Sequence, residues 1–184
     1  MKETWTKRLG TARLFTVIAA LLAIVCYFLP MYSATKDFAD SLNTAGMFTE
    51  LTDYDDMQPS ELKHLSMFTY EKIYSRYGDN LFSSHTDVVV YIAIYLLPAA
   101  LALLALLWAF VKKPILLLLN TILLGGTYWL ILYDHSYRGL PGSLYVRGAA
   151  WYAYYAVIAL LAIGAIWMKV CRSGLKRAVK KEGV

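Results

Sequence analysis

Asp134-His135, followed by Arg138, is the stretch of this chain that comes nearest to acid–base chemistry. Histidine titrates near neutrality, and a carboxylate beside it can orient the ring and hold a proton on it. Read as an enzyme, the chain would use His135 as a base held by Asp134. No nucleophile motif accompanies them, and adjacent residues at a helix end do not face each other. They read instead as an interfacial charge cluster, and no catalytic residue is assigned. Asp53-Tyr54-Asp55-Asp56 gathers oxygens of the kind calcium takes, but it lacks the loop glycine and distal glutamate of an EF-hand. It reads as a solvated acidic turn. His64, His85 and His135 are unconnected by any metal-ligand spacing. Cys26 lies inside an apolar run and Cys171 just past another, so neither a disulfide framework nor a zinc pattern is present. No metal, no cofactor and no enzymatic activity are expected.

The chain that must position these groups has 184 residues and is 59% apolar, 15% aromatic and only 17% charged. That balance belongs to a protein whose solvent is the bilayer. A spanning helix takes about 20 apolar residues, and four runs qualify: 14–32, 88–111, 115–133 and 149–168. None has a charged residue or histidine in its interior. Residues 112–114, Lys112-Lys113-Pro114, join the second and third runs so tightly that these must form an antiparallel pair. The expected fold is therefore all-α and integral to the membrane. It is a four-transmembrane-helix bundle with a small helical cap, residues 33–87, between helices 1 and 2. A basic lead (1–13), a short loop (134–148) and a basic tail (169–184) complete it. The lead looks like a signal peptide, but its apolar core is long, and cleavage after Ala34 would place Tyr32 where a small residue is needed. An uncleaved first span is expected.

The net charge of +5 is distributed as a membrane orientation signal, and not as a nucleic-acid footprint. Twelve basic residues lie in the lead, the lysine turn and the tail; the two loops hold six. Both termini are then expected in the cytoplasm of a bacterial cell, in its inner membrane, with both loops outside. Lys169, Arg172, Lys176, Arg177, Lys180 and Lys181 of the tail are assigned to anionic lipid headgroups.

The cap carries ten acids against four bases, a net of −6. Two helices are predicted within it. One covers about 35–51, with Phe38, Leu42 and Phe48 as apolar contacts. The other starts at Pro59-Ser60, carries Leu62, Leu65, Phe68 or Thr69, Ile73 and Tyr77, and stops at Gly78. Fifteen tyrosines are an unusual number, and many fall in or near the loops. Interfacial belts explain several of them, but not the run Met67-Phe68-Tyr70-Ile73-Tyr74-Tyr77. That run docks either onto the bundle's own top or onto a partner. Phe68, Tyr70, Tyr74 and Tyr77 are taken as candidate partner contacts, with Asp53, Asp55 and Asp56 steering a basic protein. Ala19 with Ala23, Ala105 with Ala109, and Ala149 with Ala153 permit close helix approach, within one bundle or between copies. Asn120 and Thr121 are the most polar residues inside a span, and Gly125-Gly126 lies on the same helix. They are assigned to helix packing or, alternatively, to a pore.

Four spans, both termini on one side, a large first loop and a small second one resemble the topology of claudin-like proteins. The claudin first loop has a tryptophan-glycine-leucine-tryptophan signature and a cysteine pair, whereas residues 33–87 contain no Trp and no Cys. The resemblance is one of topology and implies no shared activity. The expected function is a non-enzymatic membrane protein whose extracytoplasmic cap binds another membrane or envelope protein, as an accessory subunit or an immunity-type protein. The alternative is a homo-oligomeric channel or small-solute transporter.

Overall fold

The computed structural model describes residues 2–45 and 59–182. The elements run α1 (Lys2–Phe28), β1 (Tyr32–Ala34), α2 (Lys36–Ala45), α3 (Pro59–Leu62), β2 (His64–Leu65), α4 (Met67–Leu81), α5 (His85–Phe110), α6 (Pro114–Arg138), β3 (Tyr145–Arg147) and α7 (Ala149–Glu182). Helices α1, α5, α6 and α7 are long and apolar enough to cross a membrane. The chain is a multi-pass integral membrane protein, mostly helical, with a small region of short helices and strands in its loops.

The four long helices outrun their apolar cores, α1 and α7 by the most. α1 begins at Lys2 rather than at residue 14, and α7 continues to Glu182 rather than stopping near 168. Charge does not end a helix; a proline, or a glycine backed by C-capping bonds, does. The added turn at the start of α1 carries a Glu3–Lys7 ion pair of 2.9 Å at helical spacing.

The described chain packs as two compact units. The terminal unit is drawn from Met1–Val25, Ala99–Gly126 and Tyr155–Val184. Its interior is small-residue packing: Ala12, Ala19, Ala20 and Ala23 of α1 and Ala102, Ala105 and Ala109 of α5 are all buried. Without a hydrophobic drive between helices in lipid, close backbone approach is what small residues contribute. At Gly164 of α7 an added methyl would lie 2.5 Å from Thr16 Oγ1 of α1. Thr16 donates to its own helix at Ala12 O (2.7 Å). The α5–α6 joint has its own chemistry. Lys112 takes a left-handed backbone (φ 54°), Lys113 N–H donates to Trp108 O at 3.0 Å, and Pro114 opens α6. Arg172 of α7 donates to the Lys112 carbonyl at 3.0 Å. Leu103, Leu107, Leu119, Ile122, Leu123 and Ile163 are exposed, as side chains that face hydrocarbon should be.

The loop unit is drawn from Cys26–Pro98 and Thr127–Tyr154. It contains a three-stranded antiparallel sheet in the order β2-β1-β3, a feature not anticipated from the sequence. Tyr32 pairs with Leu65 on one side and with Arg147 on the other, so one strand ties the two loops together. The strap continues past the sheet: Gly148 N–H donates to Met31 O (2.8 Å) and Ala150 N–H to Pro30 O (2.9 Å). The Pro30 carbonyl thus satisfies one of the free N–H groups at the start of α7.

The second cap helix differs from its expectation. Pro59–Leu62 makes a single turn, the chain then extends through β2, and α4 starts afresh at Met67. Ser66 is its N-cap, accepting from Thr69 N–H at 3.0 Å. Gly78 does not stop α4; it lies inside it. An added methyl there would sit 2.4 Å from Val88 Cγ1, so this glycine serves packing and not termination. The buried face is Met67, Tyr70, Tyr74 and Gly78, rotated from the predicted Phe68–Ile73–Tyr77 face.

Candidate functional site

The loop unit brings together the titratable groups that the chain keeps near its spans. His135, near the end of α6, is 1% exposed. It is therefore not part of an interfacial charge cluster, as its place in the sequence implied. β1 and α4 cover it: Tyr32 and Tyr70 pack on the imidazole with ring centroids at 5.4 and 4.8 Å. Both ring nitrogens are engaged, Nδ1 with the Tyr32 hydroxyl at 3.1 Å and Nε2 with the Tyr95 hydroxyl. A neutral imidazole has one donor and one acceptor nitrogen, so one phenol donates to the ring and the other accepts from it.

Around this bracket the aromatics continue. Tyr70 packs on Tyr95 (5.4 Å) and Tyr74 (6.2 Å), and Tyr74 on Tyr91 (5.6 Å) and Phe82 (5.4 Å). Burial pushes the Tyr70 phenol up, and the nearby Tyr32, Tyr74 and Tyr145 hydroxyls add to the effect. Burial likewise raises Tyr74. Both stay protonated across the physiological range, which removes them as bases. Tyr70 Oη is buried and has no hydrogen-bond partner among the described residues.

The charged residues predicted beside His135 form a separate group. Arg138 Nε donates to Asp134 Oδ1 at 3.0 Å, and the Tyr91 hydroxyl donates to the same oxygen at 3.1 Å. The guanidinium lies over the Tyr91 ring, 4.3 Å from its centroid, and also contacts Phe82. His135 and Asp134 thus point to different partners, and the base-plus-orienter geometry of an acid–base pair is not formed. His64 lies on β2, 3.5 Å from Ser33 Oγ, and His85 pairs with Asp79 at 3.0 Å. The three histidines do not converge, and no metal-ligating group of three or more His, Cys, Asp or Glu occurs among the described residues.

Of the candidate partner contacts, Tyr70 and Tyr74 face inward and are buried. Phe68 is 45% exposed and leans on Phe28 (5.4 Å) and Tyr27 (6.3 Å); Tyr77 is half-buried. Asp53, Asp55 and Asp56 lie outside the described residues, as do Phe48 and the predicted turn around them. In the terminal unit, Asn120 Nδ2 donates to Leu101 O of α5 at 2.8 Å, and Thr121 Oγ1 to Leu117 O of its own helix at 2.8 Å. Ala19, Ala23, Ala105 and Ala109 are buried inside the single chain, whereas Ala149 is exposed. Gly126 has open space where a methyl would go, and Gly125 meets only Ile158 at 3.6 Å.

Sequence reasoning missed Tyr95, the partner of His135. Its signal was present: Tyr91 and Tyr95 are four residues apart, which places two phenols on one helical face. It also missed the second loop. Tyr137 (83% exposed), Leu140, Leu144 and Val146 all present large apolar surface there.

Spans and loop unit together define the class: a four-span integral membrane protein whose two loops are sewn into one folded unit by β1. No family model, curated protein or solved structure matches the chain.

Proposed function

We propose that this is a non-enzymatic membrane protein whose loop unit binds another membrane or envelope protein, as an accessory or immunity-type subunit. In this reading the termini and the lysine turn lie in the cytoplasm of a bacterial cell and both loops lie outside. One observation carries it. His135 is bonded to Tyr32 and Tyr95 inside the loop unit and Arg138 is paired with Asp134, while the surface presents Phe68, Leu81, Leu140, Leu144 and Val146. Large apolar side chains exposed outside the apolar runs are the material of a contact surface. β3 supports the same reading, because it ends the sheet and offers its outer backbone edge to an added strand. The acidic run Asp53–Asp56 would steer a basic partner toward it.

The test is in-cell photo-crosslinking from Phe68, Leu144 and, as a lipid-facing control, Leu123. The expected result is one protein species, identified by mass spectrometry, captured from Phe68 or Leu144 and not from Leu123. It should be lost in Phe68→Asp or Leu144→Asp and recovered reciprocally when the partner is the bait. A discrete self-oligomer alone, or no species from either loop position, overturns the proposal.

A further inference from the structure

The terminal unit contains a groove of about 640 Å³ between α7, α1 and α6. α7 contributes Lys169, Ser173 and Arg177, spaced by four residues and so forming a single row along the helix, about 12 Å long at ~1.5 Å per residue. On the same helix, Ile166 and Val170 line the groove with Leu118 of α6. Ile166 is the last groove residue within the apolar run of α7, and every cation of the lining lies beyond it. Trp5 of α1 lies across the groove, packed so closely on α7 that a methyl at Gly174 would come within 2.7 Å of the indole. The Arg8 guanidinium lies over the same ring, 5.4 Å from its centroid. Among the described residues no acid lines the groove.

We infer that this groove is a stoichiometric site for one anionic phospholipid from the adjoining leaflet. The phosphate sits on the Lys169–Ser173–Arg177 row, and the first part of an acyl chain runs along Ile166, Val170 and Leu118. Two arguments select this occupant. Charge complementarity excludes a basic segment and favours a phosphate, with two cations and a hydroxyl donor in reach of one headgroup. The apolar end also continues into the exposed, lipid-facing surface of the spans, Ile163 and Ile166 among it, so an amphiphile enters along the bilayer without crossing water. The site is distinct from general attraction by the basic tail: Lys176 and Lys180 carry equal charge but do not line the groove.

The experiment is native mass spectrometry of the full chain in mild detergent, titrated with phosphatidylglycerol or with phosphatidylcholine bearing the same acyl chains. The wild type is expected to saturate with one phosphatidylglycerol at concentrations where phosphatidylcholine does not bind. Lys169→Gln/Arg177→Gln should weaken that binding by about thirtyfold, and Ser173→Phe, which fills the groove without changing charge, should abolish it. Lys176→Gln/Lys180→Gln, which removes the same charge from tail residues outside the groove, should weaken it by no more than a few-fold. Equal binding of the two lipids, equal loss in both charge pairs, or adducts that do not saturate at one would each overturn the inference. So would displacement by inorganic phosphate alone, which would show that the acyl chain contributes nothing.

Discussion

Gly148→Ala is the sharpest test of the strap that joins the two loops. The new methyl would lie 2.4 Å from Pro30 O, 2.9 Å from Pro30 C and 3.2 Å from Met31 C. All three are backbone atoms, so no side chain can swing aside; the strands must part by roughly 1 Å to reach ordinary contact. That opening breaks the Gly148 N–H to Met31 O bond (2.8 Å) and the Ala150 N–H to Pro30 O bond (2.9 Å). Each lost bond costs about 1 kcal/mol, or more where a buried group is left unpaired, and overpacking adds about 1–3 kcal/mol. A total of about 3–5 kcal/mol lowers Tm by roughly 6–20 °C in a chain of this size. The protein contains its own reporters. It has two cysteines, both buried, with Cys26 in the loop unit and Cys171 in the terminal unit. Thermal melts with a thiol-reactive fluorophore, in a Cys171→Ser background, follow Cys26 alone. Gly126→Ala is the control, since open space surrounds that position; it should leave Tm unchanged or raise it slightly through helix propensity. If Gly148→Ala melts within about 2 °C of the parent, the close approach at residue 148 does not exist as described.

Two further outcomes are expected. Tyr32→Phe leaves His135 Nδ1 without its partner and should cost about 1–3 kcal/mol; combined with His135→Leu in a double-mutant cycle, the loss should be clearly less than additive, and strict additivity would refute the bond. Asn120→Leu removes the amide that donates to Leu101 O and should cost roughly 1 kcal/mol, read as a fall of a few degrees in the detergent melt. An unchanged or higher Tm would show that this interhelical bond contributes nothing.

The four spans were legible because long apolar runs admit few other readings, and the Lys112-Lys113-Pro114 turn fixed how two of them are joined. Their ends were less so. Hydropathy marks where the bilayer stops, whereas α1 and α7 stop where backbone and packing allow. The sheet was invisible because strands of two or three residues show no usable alternation, and β1 finds β3 only after five helices have been laid down in sequence. Gly78 misled for a related reason. A local rule treats glycine after an apolar run as a cap, but Val88, from another helix, determines what fits there. His135 was placed at an interface because the reading of one helix cannot show that β1 and α4 fold over it. Tyr70 and Tyr74 form the buried side of α4 for the same reason, whereas Phe68 is exposed.

The strap also imposes an order on biosynthesis. β1 is the central strand, yet it leaves the ribosome long before β3, which follows the third span. Until residues 145–147 are synthesised, one edge of β1 lacks the strand that pairs with it, and the Pro30 and Met31 carbonyls lack the N–H groups that close them in the finished chain. A nascent chain halted before β3 therefore has an open strand edge on β1. Arrival of β3 closes that edge, so the small sheet works as a receipt that the first three long helices have been made.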